Sequence, residues 1–505
     1  MKNDVLKSLS IMLGSVALLL MISVGYEWNT KQQKIDFEPV QFVCLNEIFR
    51  PNQMSANNPQ SFKDTLPPSQ FIQNENFESK DTTRIEYNLE TPAFVEGEIL
   101  PEDSVHNGNF LYNPKRGDRH SLDAFYEELE KLEVLSPKDL KLRVAHYGDS
   151  QLEGGLISYD IRELFQKKFV GGGTGFIPFY EPCYNMYVSR KLIGGWKRYT
   201  CFHERYTNSY YGFCGTVYRF MPARNSSFEP NENAPLQTAK CIIDIYRSVN
   251  FKKLCLYWGN AKSPWTLRVY VKDSLHFEQS FDKTNGFEVT EIEFKKQPKK
   301  LILEFEAIES PDFYGFSLEP DNGLMVDNLA LRGHSGNGFH ILNTSFLKSQ
   351  FEKLNHKLIM LQFGGNIIPY TNVKDFKWYE DDLYKLLLKF KKAAPNSSIL
   401  VISNMDMGFK GANGIVSYPT APKVRDAQKR AALKAGVAFI DIFELMGGTG
   451  AIIHWYNKNL ALNDFAHLTS KGQRKIAEFI VEALLIDYEK FKKHSPVSNL
   501  NKLIN

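Results

Sequence analysis

Two separated segments of this chain carry the side chains that nucleophilic acyl transfer needs. His146-Tyr147-Gly148-Asp149-Ser150-Gln151 offers a serine, and Asn463-Asp464-Phe465-Ala466-His467-Leu468-Thr469 offers a carboxylate and an imidazole. A serine hydroxyl attacks a carbonyl well only when an imidazole takes its proton. The imidazole needs a carboxylate to fix its tautomer and steady its positive charge. Asp464 and His467 lie three positions apart, so one tight turn can aim both at a serine delivered from elsewhere. Ser150 is therefore expected as nucleophile, His467 as base and Asp464 as its orienting partner. Neither motif decides the matter alone. Gly-Asp-Ser also occurs as an ordinary turn, and Asp-x-x-His as a helix start with a solvated histidine.

The surrounding elements favour a site. Leu142-Arg143-Val144-Ala145-His146-Tyr147 reads as a mostly buried strand running into Gly148, and Ile157, Ile161, Leu164 and Phe165 follow at helical spacing. A serine at such a strand-to-helix turn stands at the carboxyl edge of a sheet, where open α/β folds place their ligands. Asp464 and His467 precede an amphipathic helix with Ile476, Phe479, Ile480, Ala483 and Leu484 on one face. Further strands are expected at 358–363, 398–403 and 437–442, with helices near 379–392, 422–435 and 471–485. That alternation implies a parallel sheet with helices on both faces.

At these residues the chain resembles the SGNH (GDSL-type) hydrolase superfamily. Gly148, Asp149 and Ser150 match its first sequence block, and Asp464, His467, Leu468, Thr469 and Gly472 match its fifth. Its third block supplies an asparagine after a buried strand, and Leu358-Ile359-Met360-Leu361-Gln362-Phe363-Gly364-Gly365-Asn366 has that form. Its second supplies a glycine amide; Gly333 closes Asp327-Asn328-Leu329-Ala330-Leu331-Arg332, with Gly336 as a nearby rival. The third block usually continues with an acidic residue, whereas Ile367 follows Asn366. The resemblance implies an α/β fold of flavodoxin-like, three-layer type. It also implies an oxyanion hole made by the Ser150 amide, the Gly333 amide and the Asn366 side chain, with no metal or organic cofactor.

Other clusters read more plainly. Gly171-Gly172-Gly173-Thr174-Gly175 follows a helix and leads into Phe176-Ile177-Pro178, whereas a phosphate loop follows a strand, opens a helix and carries a lysine. It is expected to be a helix-to-strand connection. His334 and His340 lack the companion ligands of a metal site and are expected to line the cleft. His146 is expected to be a packed strand residue.

Residues 8–26 carry no charge, are mostly apolar and follow Lys2 and Lys7. Such a run fits a marginal membrane span or a signal-peptide core, and an uncleaved anchor is the preferred reading. The basic end should stay in the cytoplasm and the rest of the chain should cross, placing the protein in the cell envelope. The net charge of +3 over 505 residues offers no strong attraction to nucleic acid. Cys44, Cys183, Cys201, Cys214, Cys241 and Cys255 could pair outside the cytoplasm.

Composition divides the chain further. Residues 1–26 form the anchor or signal, and 27–118, rich in Asn, Gln, Pro and Ser, read as an extended stalk. Hydrolase segments at 119–189 and 323–490 flank a different stretch at 190–322, and 491–505 is a polar tail. The intervening stretch crowds Trp196, Tyr199, Phe202, Tyr206, Tyr210, Tyr211, Phe213, Tyr218 and Phe220 into its first third. Short apolar pieces such as Trp265-Thr266-Leu267-Arg268-Val269-Tyr270-Val271 and Leu301-Ile302-Leu303-Glu304-Phe305 follow. These predict an inserted antiparallel β-sandwich.

A β module at that position resembles the bacterial peptidoglycan and polysaccharide O-acetylesterases, which carry a carbohydrate-binding-like jelly roll there. Met446-Gly447-Gly448 and Trp455 extend the likeness. The resemblance implies an esterase that removes O-acetyl groups from an acetylated polysaccharide or peptidoglycan. The alternative is an O-acetyltransferase partnered by a membrane-bound O-acyltransferase, and a third reading is a glycan-binding scaffold. The insert is expected to be separable, so that its removal would spare activity on a small ester.

Overall fold

The computed structural model describes residues 110–135, 140–206, 208–224, 227–247, 249–412 and 414–495. The expected anchor, most of the expected stalk and the end of the polar tail lie outside them. Among the described residues no helix is long and apolar enough to cross a membrane.

The α/β part is built on one sheet. Its strands are β1 (Leu111–Tyr112), β2 (Lys141–Gly148), β3 (Gly323–Ala330), β4 (His356–Gln362), β5 (Ser398–Ile402) and β6 (Ala438–Ile440). They lie in the order β1-β6-β5-β4-β2-β3. β2 to β6 pair in parallel, and β1 closes the edge by running antiparallel to β6. Leu111–Tyr112 thus belongs to the sheet although it falls within the stretch read as stalk; two residues are too few to show a period. Numbered among the parallel strands alone, the order is 2-1-3-4-5, that of flavodoxin-like sheets. Such sheets bind ligands beyond the carboxyl ends of the first and third strands, where the winding reverses. Those strands are β2 and β4.

The buried run of β2 shows why this segment is a strand. Leu142 and Val144 enter one apolar core, and Ala145 and Tyr147 enter the other, so alternate residues serve opposite faces. The first face is covered by α1 (Asp123–Leu135), α2 (Leu156–Lys168) and α6 (Ser470–Lys492). The second is covered by α3 (Thr344–Leu354), α4 (Lys377–Ala393) and α5 (Ala421–Ala435). The amphipathic stripe of α6 packs as its spacing predicts: Ile476, Ile480, Ala483 and Leu484 are buried and Phe479 is partly so.

Between α2 and β3 the chain forms two antiparallel sheets. One runs in the order Thr284–Glu293, Lys253–Ala261, Asp312–Glu319, Thr216–Arg219, Lys197–Thr200, and Gly175–Ile177 also pairs with Asp312–Glu319. The other runs Ser274–Phe281, Trp265–Val271, Lys300–Ala307, Gln237–Ile245, Val188–Ile193. In Lys300–Ala307 the residues Leu301, Leu303, Phe305 and Ala307 are buried and alternate with more exposed ones, the pattern of a half-buried strand. Most of the crowded aromatics are core. Tyr211, Phe213, Tyr218 and Phe220 are buried, and Trp196 stacks on Phe179 at 5.1 Å.

The insert is not a loosely tethered module. Phe176, Phe213, Tyr257 and Tyr314 share one core cluster with Tyr147, Leu329 and Phe339 of the α/β part. The Tyr147 hydroxyl donates to the Phe213 carbonyl at 2.9 Å. A buried charge cluster adds a second tie. Arg143 on β2 donates to Asp327 on β3 from Nη2 at 2.8 Å and Nε at 3.1 Å, and reaches Glu319 of the insert. Lys141 bonds Glu319 at 2.8 Å, and His356 meets Asp327 at 2.6 Å. Buried charges are tolerated when each is paired in this way. The five described cysteines, Cys183, Cys201, Cys214, Cys241 and Cys255, are free thiols.

Candidate active site

Ser150 opens a short 3-10 turn, Ser150–Gly155, directly after β2. Gly148 must be a glycine for this turn to form. A Cβ there would lie 2.5 Å from the Leu152 side chain and 2.8 Å from the Gln362 carbonyl on β4. Asp149 caps the turn by accepting the Gln151 amide at 3.0 Å. Gly154 and Gly155 take left-handed φ values of +70° and +85°, which lets the chain re-aim into α2.

The second segment arrives on the loop before α6. Thr469 caps that helix by accepting the Gly472 amide. A Cβ on Gly472 would come within 2.0 Å of the Leu460 carbonyl, so glycine lets the helix start close against the loop. Asp464 Oδ1 accepts the amides of Ala466 and His467 at 3.0 and 2.9 Å, winding a tight turn around the carboxylate. Phe465, at φ +54°, makes the reversal and its carbonyl accepts the Gly408 amide at 2.8 Å. Gln151 then ties the two segments together, its Nε2 donating to the Ala466 carbonyl at 2.7 Å.

The three expected residues meet. Ser150 Oγ is 2.8 Å from His467 Nε2, and His467 Nδ1 is 2.7 Å from Asp464 Oδ2. With Nδ1–H donating to the carboxylate, Nε2 is left as acceptor for the serine hydroxyl. The hydrogen bond to Asp464 is the main cause that raises the His467 pKa above the ordinary imidazole value. Burial pushes the Asp464 carboxyl up, but the bonds from the His467 ring and from the His467 and Ala466 amides outweigh it and hold it below the usual carboxylate range. The His467 and Asp464 side chains remain 38% and 47% exposed, so water reaches this edge.

Asn366 follows β4 across the winding reversal from Ser150. Its Nδ2 donates to Asp149 Oδ2 and to the His334 carbonyl, both at 3.1 Å. Gly333 has a left-handed φ of +73°, and a Cβ built on it would meet nothing within 4 Å. The Gly336 amide points at His334 Nδ1 at 3.2 Å, which leaves Gly333 as the more open of the two rivals. His334, expected to line the cleft, is instead buried, and burial lowers its pKa to about 3, so it is a neutral, packed side chain. His340 pairs with Asp382 at 3.0 Å. His146 is fully buried between Gln362 at 3.0 Å and Ser158 at 2.9 Å, as a packed strand residue. Gly171–Gly173 connect α2 to the strand Gly175–Ile177, and the Gly173 amide is spent on the Asn250 carbonyl at 2.8 Å.

Two members of the site have roles that sequence reasoning did not assign. Asp149 is a buried carboxylate gripping Asn366, and burial raises its pKa to about 6. Gln151 is the tether between the two segments. Both adjoin Ser150 in the chain, but their partners lie more than two hundred residues away and have no local signature.

No protein-family model and no curated protein sequence matches the chain. Among solved structures it is similar to a peptidoglycan O-acetylesterase, with a TM-score of 0.58 and 17% identity over 73% of this chain and 96% of that one. An acetyl xylan esterase (TM-score 0.26, 15% identity, 32% of this chain and 81% of that one) superposes too loosely to add to this. So does a family two carbohydrate esterase from Clostridium thermocellum (TM-score 0.24, 9% identity, 51% and 96%). The first likeness, with the strand order and the inserted sheets, shows that the chain has an SGNH-like fold.

Proposed function

We propose that this protein is a serine esterase that removes O-acetyl groups from a cell-envelope or extracellular glycan. The observation that carries the reading is the linked pair of contacts, Ser150 Oγ to His467 Nε2 at 2.8 Å and His467 Nδ1 to Asp464 Oδ2 at 2.7 Å. Ser150 Oγ attacks the acetyl carbonyl carbon while His467 Nε2 takes the hydroxyl proton. The developing oxyanion is held by the Ser150 amide, the Gly333 amide and the Asn366 side chain, whose Nδ2 gives up its bond to the His334 carbonyl to reach it while keeping the one to Asp149. Each such donor contributes about 3 to 4 kcal/mol to the transition state. As the tetrahedral intermediate collapses, His467 returns the proton to the leaving sugar oxygen and acetyl-Ser150 remains. Water, deprotonated by His467, then releases acetate and restores the serine. The glycan as substrate is supported by the fold shared with a peptidoglycan O-acetylesterase. The uncharged run at 8–26 supports an exported location.

Hydrolysis is preferred to transfer because the His467–Asp464 edge is open to solvent. Water competes for the acyl-enzyme at its bulk concentration, so a transferase must hold its acceptor with a high effective molarity. The test supplies the purified protein with an acetylated glycan and an unacetylated acceptor, and compares free acetate with acetylated acceptor. Acetate should dominate. Dominant acetylated product, or acetate only in the presence of a membrane-bound O-acyltransferase, would replace the esterase with the transferase.

A further inference from the structure

Beside the serine turn the insert presents an aromatic surface that the catalytic chemistry does not use. Tyr184 and Tyr246 are 72% and 53% exposed, yet their rings lie 6.3 Å apart and within 11° of parallel. Large exposed rings held in one orientation mark an interaction surface more than a folding requirement. The surface is anchored to the site: the Tyr184 carbonyl lies so close to Gly154 that a Cβ there would sit 2.6 Å from it. Tyr246 is fixed from the other side, its amide donating to the Tyr187 carbonyl at 2.8 Å.

Tyr187, whose carbonyl holds the Tyr246 amide, lines a cavity of about 210 Å³. Tyr159, Arg162, Glu163 and Gln166 of α2 line it at helical spacing, and Arg247, the neighbour of Tyr246, lines it from the insert. Arg162 is only 4% exposed, and its guanidinium bonds to the Thr174 and Val326 carbonyls and the Tyr187 hydroxyl rather than to a carboxylate. Arg247 donates to the Tyr159 hydroxyl at 2.9 Å and lies over that ring. Glu163, the carboxylate on the wall, is held by Arg474 at 2.9 Å. A buried guanidinium with no carboxylate partner among the described residues, joined by a second one at the rim, leaves a positive excess in a polar recess. A planar carboxylate suits such forks.

We propose that the Tyr184–Tyr246 pair and the Arg162–Arg247 cavity form a subsite for a carboxylate-bearing pyranose of the bound glycan. The sugar ring lies on the tyrosine faces and its carboxylate enters the cavity. From Gly155 to Arg162 is about seven residues of helix, or about 10 Å. The subsite therefore takes a sugar other than the one that presents its ester to Ser150. This inference rests on the glycan-esterase reading and sets its substrate class.

The experiment uses the full chain and three oligosaccharides: one containing glucuronate, one containing muramic acid, and the glucuronate one with its carboxyl reduced to an alcohol. Binding is read by calorimetry, and hydrolysis of a small acetate ester is followed in parallel. At least one acidic oligosaccharide should bind about tenfold more tightly than the reduced form, and which one does so identifies the source of the carboxylate. Arg247→Gln should erase that preference. Tyr184→Ala combined with Tyr246→Ala should weaken binding of the preferred oligosaccharide about tenfold. All these variants should keep hydrolysis of the small ester. Equal binding of acidic and reduced forms, no binding of any, or an unchanged preference in Arg247→Gln overturns the subsite. Absence of small-ester hydrolysis in the unaltered protein would remove the esterase reading while leaving the binding result to stand or fall by itself.

Discussion

The carboxylate of Asp149 accepts the side-chain amide of Asn366 at 3.1 Å, so the residue next to Ser150 grips the side chain that faces it from the neighbouring strand. β2 and β4 are adjacent in the sheet, and each ends in a turn at the winding reversal. The hydrogen bond between those turns helps to hold Asn366, the proposed oxyanion donor, against the turn that carries Ser150. It makes Asp149 a positioning residue.

Asn366→Ala should therefore lower kcat by about 10² to 10³ with little change in KM, because the lost donor acts on charge that develops only in the transition state. Steady-state kinetics on a small acetate ester checks this, and a loss confined to KM would remove Asn366 from the oxyanion hole.

Asp149→Asn should trade activity for stability. Burial raises the Asp149 pKa to about 6, above the ordinary value of an unfolded aspartate. Stability from this group is full below that ordinary value and is lost as pH rises through about 6. At pH 8 the folded protein carries a buried charge whose cost is at most about 3 kcal/mol. The asparagine variant should melt higher than the parent at pH 8, and the difference should shrink by pH 4. Its kcat should fall, since Asn366 loses an ionised acceptor. Equal melting temperatures at pH 8 would contradict the assignment.

Ser150→Ala should leave the fold intact and remove small-ester hydrolysis by about 10⁶, the scale seen when a nucleophile is deleted from a triad. Asp464→Asn should cost less, about 10⁴, because His467 keeps its base function and loses its tautomer control. Activity with the parent should rise with pH through the pKa of His467, above the ordinary imidazole value, since the base must be neutral. In Asp464→Asn that limb should move to lower pH. A pH–rate profile of kcat/KM reads both, and an unmoved limb would mean that another group titrates.

Arg143→Met should destabilise the fold by about 3 to 5 kcal/mol, since it strands the Asp327 and Glu319 carboxylates in the interior. Burial pushes both carboxyls up, but Arg143 outweighs it and holds them low, with Lys141 aiding at Glu319 and His356 at Asp327. Their contribution is present at neutral pH and is lost as pH falls through the depressed folded values. Denaturant melts at pH 7 should show the loss, and a midpoint within error of the parent would refute it.

Replacing residues 190–322 with a short linker should abolish activity on small ester and polymer alike, contrary to the separable module that the strand-rich composition suggests. Phe213, Tyr257 and Tyr314 complete the core around Tyr147 and Leu329. Gly175–Ile177 would also lose Asp312–Glu319 as a strand partner. A soluble, cooperatively melting product active on a small ester would restore the module as a separate unit.

Local patterning made much of the fold legible. The alternation that sends Leu142 and Val144 one way and Ala145 and Tyr147 the other is written in β2, as is the stripe of α6. Gly148 and Gly472 are legible only through the family resemblance, and the structure supplies the reason, since close backbone approach leaves room for glycine alone. Ser150, Asp464 and His467 were nameable because each sits at the end of an element whose period could be read. Local pattern thus specifies the elements and the residues at their ends.

Which ends meet is settled by the packing of the elements in three dimensions. The approach of His467 to Ser150, the grip of Asp149 on Asn366 and the binding of Gln151 to the Ala466 carbonyl depend on strand order, which no local pattern encodes. The same holds for the sharing of one core by the insert and the α/β part. A buried aromatic looks alike in the sequence whether its neighbours are its own sheet or the next one. The choice is made when apolar faces find the partner that leaves the least surface in water.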